Sequence, residues 1–181
     1  MTPVLPIECD RVLVEEAVLR QRVAELGAQI THDFEGEDLR LITVLRGGLF
    51  FLADLCRAVD LPVSLDFMAV SPYSAGVGGT VRVTKDLSDD IGGASVLLVE
   101  DIVDTGLTIN YVLSLLRAHR PARLEVCTLL DKAARRIADV PISYRGFSLP
   151  DRFVVGYGLD ISGSYRNLPY VASLKDEVIL G

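Results

Sequence analysis

The feature that most narrows the fold is an alternation of two hydrophobic periods between about Leu39 and Leu130. Short β-rich runs, "LRLITVL", "VSLDFMAV", "SVLLV" and "RLEVCTLL", are interleaved with helical stretches, "GLFFLADLCRAV" and "LTINYVLSLLRAH". Strands joined through helices become parallel neighbours, because a crossover carries the chain back to the same end of the sheet. "SVLLV" is apolar without alternation, as expected of a strand covered on both faces. The fold class predicted is α/β, a doubly wound, mostly parallel sheet flanked by helices. Ligands of such sheets bind beyond the carboxyl ends of the strands. Attention therefore falls on three strand ends, after Leu45, Val99 and Leu130.

Outside that region, Val18, Val23, Leu26 and Ile30 recur at helical spacing and predict an amphipathic helix over about 15–34. "TVRVT" alternates as a strand, and the tail holds short strand-like pieces around "ISYRGF" and "FVVGYG".

The second strand end carries the densest chemistry. "VLLV" runs into Glu100 and Asp101, with Asp104, Thr105, Gly106 and Thr108 following before the next helix. Backbone N–H groups at such a turn can cradle a phosphate, and the two hydroxyls add donors. The carboxylates cannot serve the phosphate. They suit sugar hydroxyls, hydrated Mg²⁺ or a proton. A lone Asp-Thr-Gly is usually a helix cap; an acid pair ending a buried strand beside this turn points instead to a ligand with both a phosphate and a diol. Ribose 5-phosphate has both. No GKS or GKT occurs, so a Walker A loop is excluded.

The other strand ends are also marked. Arg46-Gly47-Gly48 offers close backbone approach and a fixed charge, or simply a turn with a surface arginine. Lys132, one of only three lysines against fifteen arginines, stands just past "CTLL". "SPYSAGVGG", from Ser71 to Gly79, has the composition of a loop. Phe153 and Val154, taken alone, read as core residues of a short strand.

Composition excludes several classes. The net charge of −7 and the absence of a basic extension argue against nucleic acid as a partner. No apolar run reaches the ~18 residues of a membrane span. "MTPVLPIECD" lacks the basic and apolar regions of a signal peptide, so a cytoplasmic location is expected. Cys9, Cys56 and Cys127 show no metal spacing and are expected as free thiols in a reducing compartment.

"VEDIVDTGLT" resembles the phosphoribosyl pyrophosphate motif of type I phosphoribosyltransferases. "LRGGLFFLADLCR", "KDL", "CTLLDK", "PDRFVVGYGLD" and "YRNLPY" resemble the hypoxanthine-guanine branch, and the likeness runs from about Val12 to Leu180. The resemblance implies the type I fold in a single domain over 1–181: a core over about 12–150, a hood from the N-terminal segment and about 151–181, and a flexible lid loop. It implies Mg²⁺-dependent transfer of a 5-phosphoribosyl group to N9 of hypoxanthine or guanine, in purine salvage. Xanthine remains open as an acceptor.

By the same resemblance, Glu100 and Asp101 take the ribose hydroxyls, directly or through Mg²⁺. Asp104 sits near purine N7 as the catalytic acid or base, and Ile102 lies on the purine side. Thr105, Gly106, Leu107 and Thr108 hold the 5-phosphate. Arg46, Gly47 and Arg166 face pyrophosphate, with a non-proline cis peptide expected at Leu45–Arg46. Lys132 donates to the purine 6-oxo group, Phe153 stacks on the base and the Val154 backbone bonds it. Asp160 serves the base side and a Mg²⁺. Ser71 and Tyr73 belong to the lid. The family commonly has Ser-Tyr where this chain has Pro72-Tyr73, and Asp-Tyr where it has Asp160-Ile161. Its members are commonly homodimers or homotetramers.

Overall fold

The computed structural model describes residues 5–71 and 82–180. Its centre is a six-stranded sheet in the order β4-β3-β2-β5-β6-β7. The strands are β2 (Leu39–Val44), β3 (Val63–Val70), β4 (Val83–Lys85), β5 (Ser95–Val103), β6 (Arg123–Asp131) and β7 (Ile142–Ser148). All neighbours are parallel except β3 and β4. The predicted α/β class and mostly parallel sheet are borne out.

Helices cover both faces. α1 (Glu16–Asp33) and α2 (Leu49–Ala58) pack on one side with Leu97 and Val99, and α3 (Leu107–Ala118) packs on the other with Val96 and Leu98. The apolar run of β5 thus divides its side chains between two cores, all four fully buried. Each such side chain contributes about 1.5–3 kcal/mol. The buried face of α1 is Leu19, Val23, Leu26, Gly27 and Ile30. Val18, expected on that face, is 48% exposed; the neighbouring Leu19 takes its place. A Cβ at Gly27 would stand 2.5 Å from the Ala58 carbonyl oxygen, so its lack of a side chain sets the approach of α1 to α2.

A second sheet joins the two ends of the chain. β1 (Cys9–Val14), β9 (Val171–Leu174) and β8 (Val154–Val155) pair antiparallel in the order β1-β9-β8. Its own apolar cluster includes Cys9, Val155, Tyr170 and Ala172, and Ile161 packs against it. A short helix α4 (Asp176–Leu180) follows. No helix among the described residues is long and apolar enough to cross a membrane. The three cysteines are free.

Candidate active site

The sheet order places a switch point between β2 and β5. From β2 the chain winds through α2 to β3 on one side; from β5 it winds through α3 to β6 on the other. Registered pairing of β2 with β5 ends at Ile42–Leu98, while β5 pairs with β6 as far as Val103–Asp131. The end of β5 therefore projects beyond its neighbour into a crevice, where an open α/β sheet binds ligands. The strand reaches four residues past the apolar run, so Glu100 and Asp101 lie within β5 and not in the loop after it.

Two adjoining clefts open there. One, of about 350 Å³, is lined by Gly47, Asp101, Lys132, Phe153, Val154, Asp160 and Arg166, among others. The second, of about 230 Å³, is lined by Glu100 and by the turn of Thr105, Gly106 and Thr108. Ile102 and Asp104 border both. Successive strand residues point to opposite sides, which assigns the two neighbouring acids to different clefts. A larger cavity of about 450 Å³ lies between α1, α2 and the 157–169 segment, away from every strand-end motif.

Both acids are buried at an electrostatic cost. Burial, reinforced by the Asp101 charge, pushes the Glu100 carboxyl well above the usual carboxylate range, although the Val44 N–H donates to its Oε1 at 3.1 Å. Burial pushes Asp101 up to about 6, opposed by hydrogen bonds from backbone N–H groups and by the charge of Arg166. The Ile102 N–H donates to Asp101 Oδ1 at 2.8 Å. Each is a hard oxygen donor of the kind a divalent cation takes, and no group of three or more His, Cys, Asp or Glu side chains gathers into a metal site among the described residues. Mg²⁺ characteristically binds through one or two carboxylates and completes its shell with water and substrate phosphate oxygens; the hard oxygen donors here fit that pattern.

The glycine loop meets Asp101 directly. A Cβ at Gly47 would lie 1.8 Å from Asp101 Oδ2, and one at Gly158 would lie 2.2 Å from the Gly47 carbonyl oxygen. The expected cis peptide is present at Leu45–Arg46. Arg46 itself is exposed and does not line the cleft. On the far side, Arg166 pairs with Asp160 at 2.5 Å and donates to the Gly158 carbonyl. The Gly163 N–H also donates to Asp160 Oδ2, at 2.6 Å.

The turn before α3 is held from behind. Thr105 O accepts from the N–H groups of Ile137 and Ala138. Gly106 has φ +83°, and a Cβ there would stand 2.2 Å from the Ala138 carbonyl oxygen. Thr108 and Leu107 are exposed at the first turn of α3, whose N–H groups lack partners within the helix. Asp104 Oδ1 is buried without a hydrogen-bond partner. Lys132, directly after β6, is only 4% exposed. Val154 is buried in β8, whereas Phe153 remains 41% exposed at the rim.

A family description, the phosphoribosyl transferase domain, matches residues 14–162. The chain is 48% identical over 167 residues to the hypoxanthine phosphoribosyltransferase of Salmonella typhimurium, covering 90% of this chain and 94% of that one. The chain belongs to the hypoxanthine-guanine phosphoribosyltransferase family. It is also 45% identical to the hypoxanthine-guanine phosphoribosyltransferase of Mycobacterium avium, over 98% of this chain and 94% of the relative. The Trypanosoma cruzi hypoxanthine phosphoribosyltransferase in complex with the product IMP superposes with a TM-score of 0.91, at 38% identity over 97% of this chain and 100% of that one.

Of the expected residues, Gly47, Asp101, Lys132, Phe153, Val154, Asp160 and Arg166 line the larger of the two adjoining clefts, Glu100, Thr105, Gly106 and Thr108 the smaller, and Ile102 and Asp104 both, whereas Arg46 and Leu107 line neither. Of the expected lid, Ser71 accepts from the Arg82 N–H through its hydroxyl and donates its own N–H to the Arg82 carbonyl. Pro72 and Tyr73 lie outside the described residues. Sequence reasoning missed Arg135, Arg136 and Asp151. Arg135 lines the main cleft, and Arg136 donates to the main-chain carbonyls of Val103 and Asp104 while pairing with Asp131. The signal was available in "DKAARR", two arginines close behind the site lysine.

Proposed function

We propose that the chain transfers the 5-phosphoribosyl group of phosphoribosyl pyrophosphate to N9 of hypoxanthine or guanine, giving IMP or GMP and pyrophosphate, in cytoplasmic purine salvage. The observation that carries this reading is the pair of adjoining clefts bordered by Asp104 and Ile102. One offers a phosphate cradle, the other a donor-bearing slot for a planar base. The C1–N9 bond forms as the C1–O bond to pyrophosphate breaks, and the purine releases one proton.

The turn of Thr105, Gly106, Leu107 and Thr108 binds the 5-phosphate through N–H groups and hydroxyls. Glu100 and Asp101 take the ribose hydroxyls from their two clefts, and Asp101 with Asp160, which line the same cleft, would hold Mg²⁺. Bound there, Mg²⁺ would supply charge neutralisation for the leaving pyrophosphate. Gly47 and Arg166 line the pyrophosphate side, and Arg46 contributes charge from the loop edge. Carboxylates around C1 stabilise the positive charge that develops there. Lys132 has donors and no acceptor, so it selects a 6-oxo group over a 6-amino group. Phe153 stacks on the base, worth about 1–3 kcal/mol by analogy with base–aromatic stacking, and the Val154 backbone bonds the base edge. Asp104 accepts or orders the purine proton.

The six-stranded core, over about 12–150, carries the phosphoribosyl site, and the small sheet formed with 151–181 acts as a hood over the base, within one domain spanning 1–181. The active form is a homodimer or homotetramer.

The test is turnover. Incubation with Mg²⁺, phosphoribosyl pyrophosphate and each purine separately should yield nucleotide and pyrophosphate from hypoxanthine or guanine and none from adenine. Absence of turnover with every 6-oxopurine overturns the reading, and a preference for xanthine redirects it to a sibling specificity.

A further inference from the structure

Four charged side chains at the base end of the cleft form a closed ring of alternating sign. Lys132 Nζ lies 3.8 Å from Asp104 Oδ2 and 3.4 Å from Asp151 Oδ1. Arg135 lies 3.3 Å from the same Asp104 oxygen and 3.6 Å from the same Asp151 oxygen. Every neighbour in the ring is of opposite charge. Two members, Asp104 and Lys132, are those the proposed function assigns to the purine. The other two, Arg135 and Asp151, are unused by it.

The arrangement addresses a physical difficulty. A buried ammonium beside a half-buried carboxylate tends to close into a direct ion pair, because low local dielectric strengthens their attraction. Such a pair would consume the donor meant for the 6-oxo group and the acceptor meant for the purine proton. Here both Lys132 distances exceed the 2.7–3.2 Å of a normal N–H···O bond. Each member is drawn away from the other by a second partner. Arg135 donates to Asp104 Oδ2, while Oδ1 of the same carboxylate is buried and unpartnered. Asp151 holds Lys132 from its other side. The main chain of Asp104 is fixed independently, because Arg136 Nε donates to its carbonyl at 3.0 Å.

We propose that Arg135 and Asp151 are positioning residues that keep Asp104 and Lys132 apart, so that a 6-oxopurine meets a separate acceptor and a separate donor. Arg135 stands on the base side of the site: its ion pairs are with Asp104 and Asp151, and it does not line the cleft formed by the 105–108 turn. Its side chain is 49% exposed, so its removal leaves no buried charge without a partner other than those of the ring itself.

The inference rests on the purine-facing roles proposed above for Asp104 and Lys132, and the experiment separates the two. Wild type, Arg135→Met, Arg135→Lys, Asp151→Asn and the Arg135→Met/Asp151→Asn double variant are compared in kcat and KM for hypoxanthine. Binding of Mg²⁺-phosphoribosyl pyrophosphate by calorimetry and thermal midpoint are measured alongside. Arg135→Met should lower kcat/KM for hypoxanthine by ten-fold or more, with phosphoribosyl pyrophosphate affinity within two-fold and an unchanged midpoint. Arg135→Lys should recover most of the loss. The double variant should lose less than the product of the single effects, because the ring is already open. Wild-type turnover with Arg135→Met within two-fold of it overturns the ring alone. So does an equal loss of phosphoribosyl pyrophosphate affinity, or a lysine variant no better than methionine. An inactive wild type overturns the functional reading and the ring with it.

Discussion

Gly47 and Asp101 are packed so closely that any side chain at 47 would occupy the position of the carboxylate: a Cβ there would stand 1.8 Å from Oδ2. The glycine loop after β2 and the acid in β5 are thus one site, built across the switch point of the sheet. Gly47→Ala should displace Asp101 and reduce kcat/KM for phosphoribosyl pyrophosphate by at least a hundred-fold while the protein still folds. Steady-state kinetics with circular dichroism check this, and near-normal activity would show that the contact is slack.

Asp101 carries a stability cost that depends on pH. Its folded pKa of about 6 lies above the unfolded value near 3.8, so the unfolded chain gives up this proton first. Stability therefore falls as pH rises from about 3.8 to about 6 and stays reduced above that. The shift corresponds to a cost on the order of 2–3 kcal/mol. Asp101→Asn, free of ligand and Mg²⁺, should melt several degrees higher than wild type at pH 8 and show little difference near pH 4. Calorimetric scans across that range test it; an identical difference at both ends would contradict the burial argument.

Asp104→Asn separates proton transfer from binding. The amide keeps the size and can still hydrogen-bond, but it cannot take up a proton. Turnover should drop by roughly 10²–10⁴-fold, the usual range for a general acid–base group, with phosphoribosyl pyrophosphate binding largely retained. Turnover at the wild-type rate would leave Asp104 only an ordering role.

The helix pair behind the site offers a prediction about folding alone. A methyl group at Gly27 meets Ala58 backbone at 2.5 Å, so Gly27→Ala should force α1 from α2 and destabilise by about 1–3 kcal/mol, despite the better helix propensity of alanine. Chemical denaturation measures it, and a stabilised variant would mean the helices separate freely.

Much of this molecule was legible in the chain itself. Strand–helix alternation and the unbroken apolar run of β5 are local properties, and they dictate a parallel sheet with two covered faces. The strand-end motifs named Asp101, Asp104, Lys132 and the 105–108 turn, because phosphate and cation chemistry needs particular residue types within a few positions of one another. Three things were decided only by tertiary structure. Which of Val18 and Leu19 faces the core depends on the rotation of α1 against α2, which a near-continuous pattern does not specify. How far β5 extends past Val99 depends on its partner β6, since pairing with Thr128 to Asp131 keeps the acids in strand geometry. The ring of Asp104, Lys132, Asp151 and Arg135 joins residues up to 47 positions apart. Coulomb attraction acts through space and leaves no periodic trace along a sequence, so only the folded chain brings those four charges within 4 Å of their neighbours.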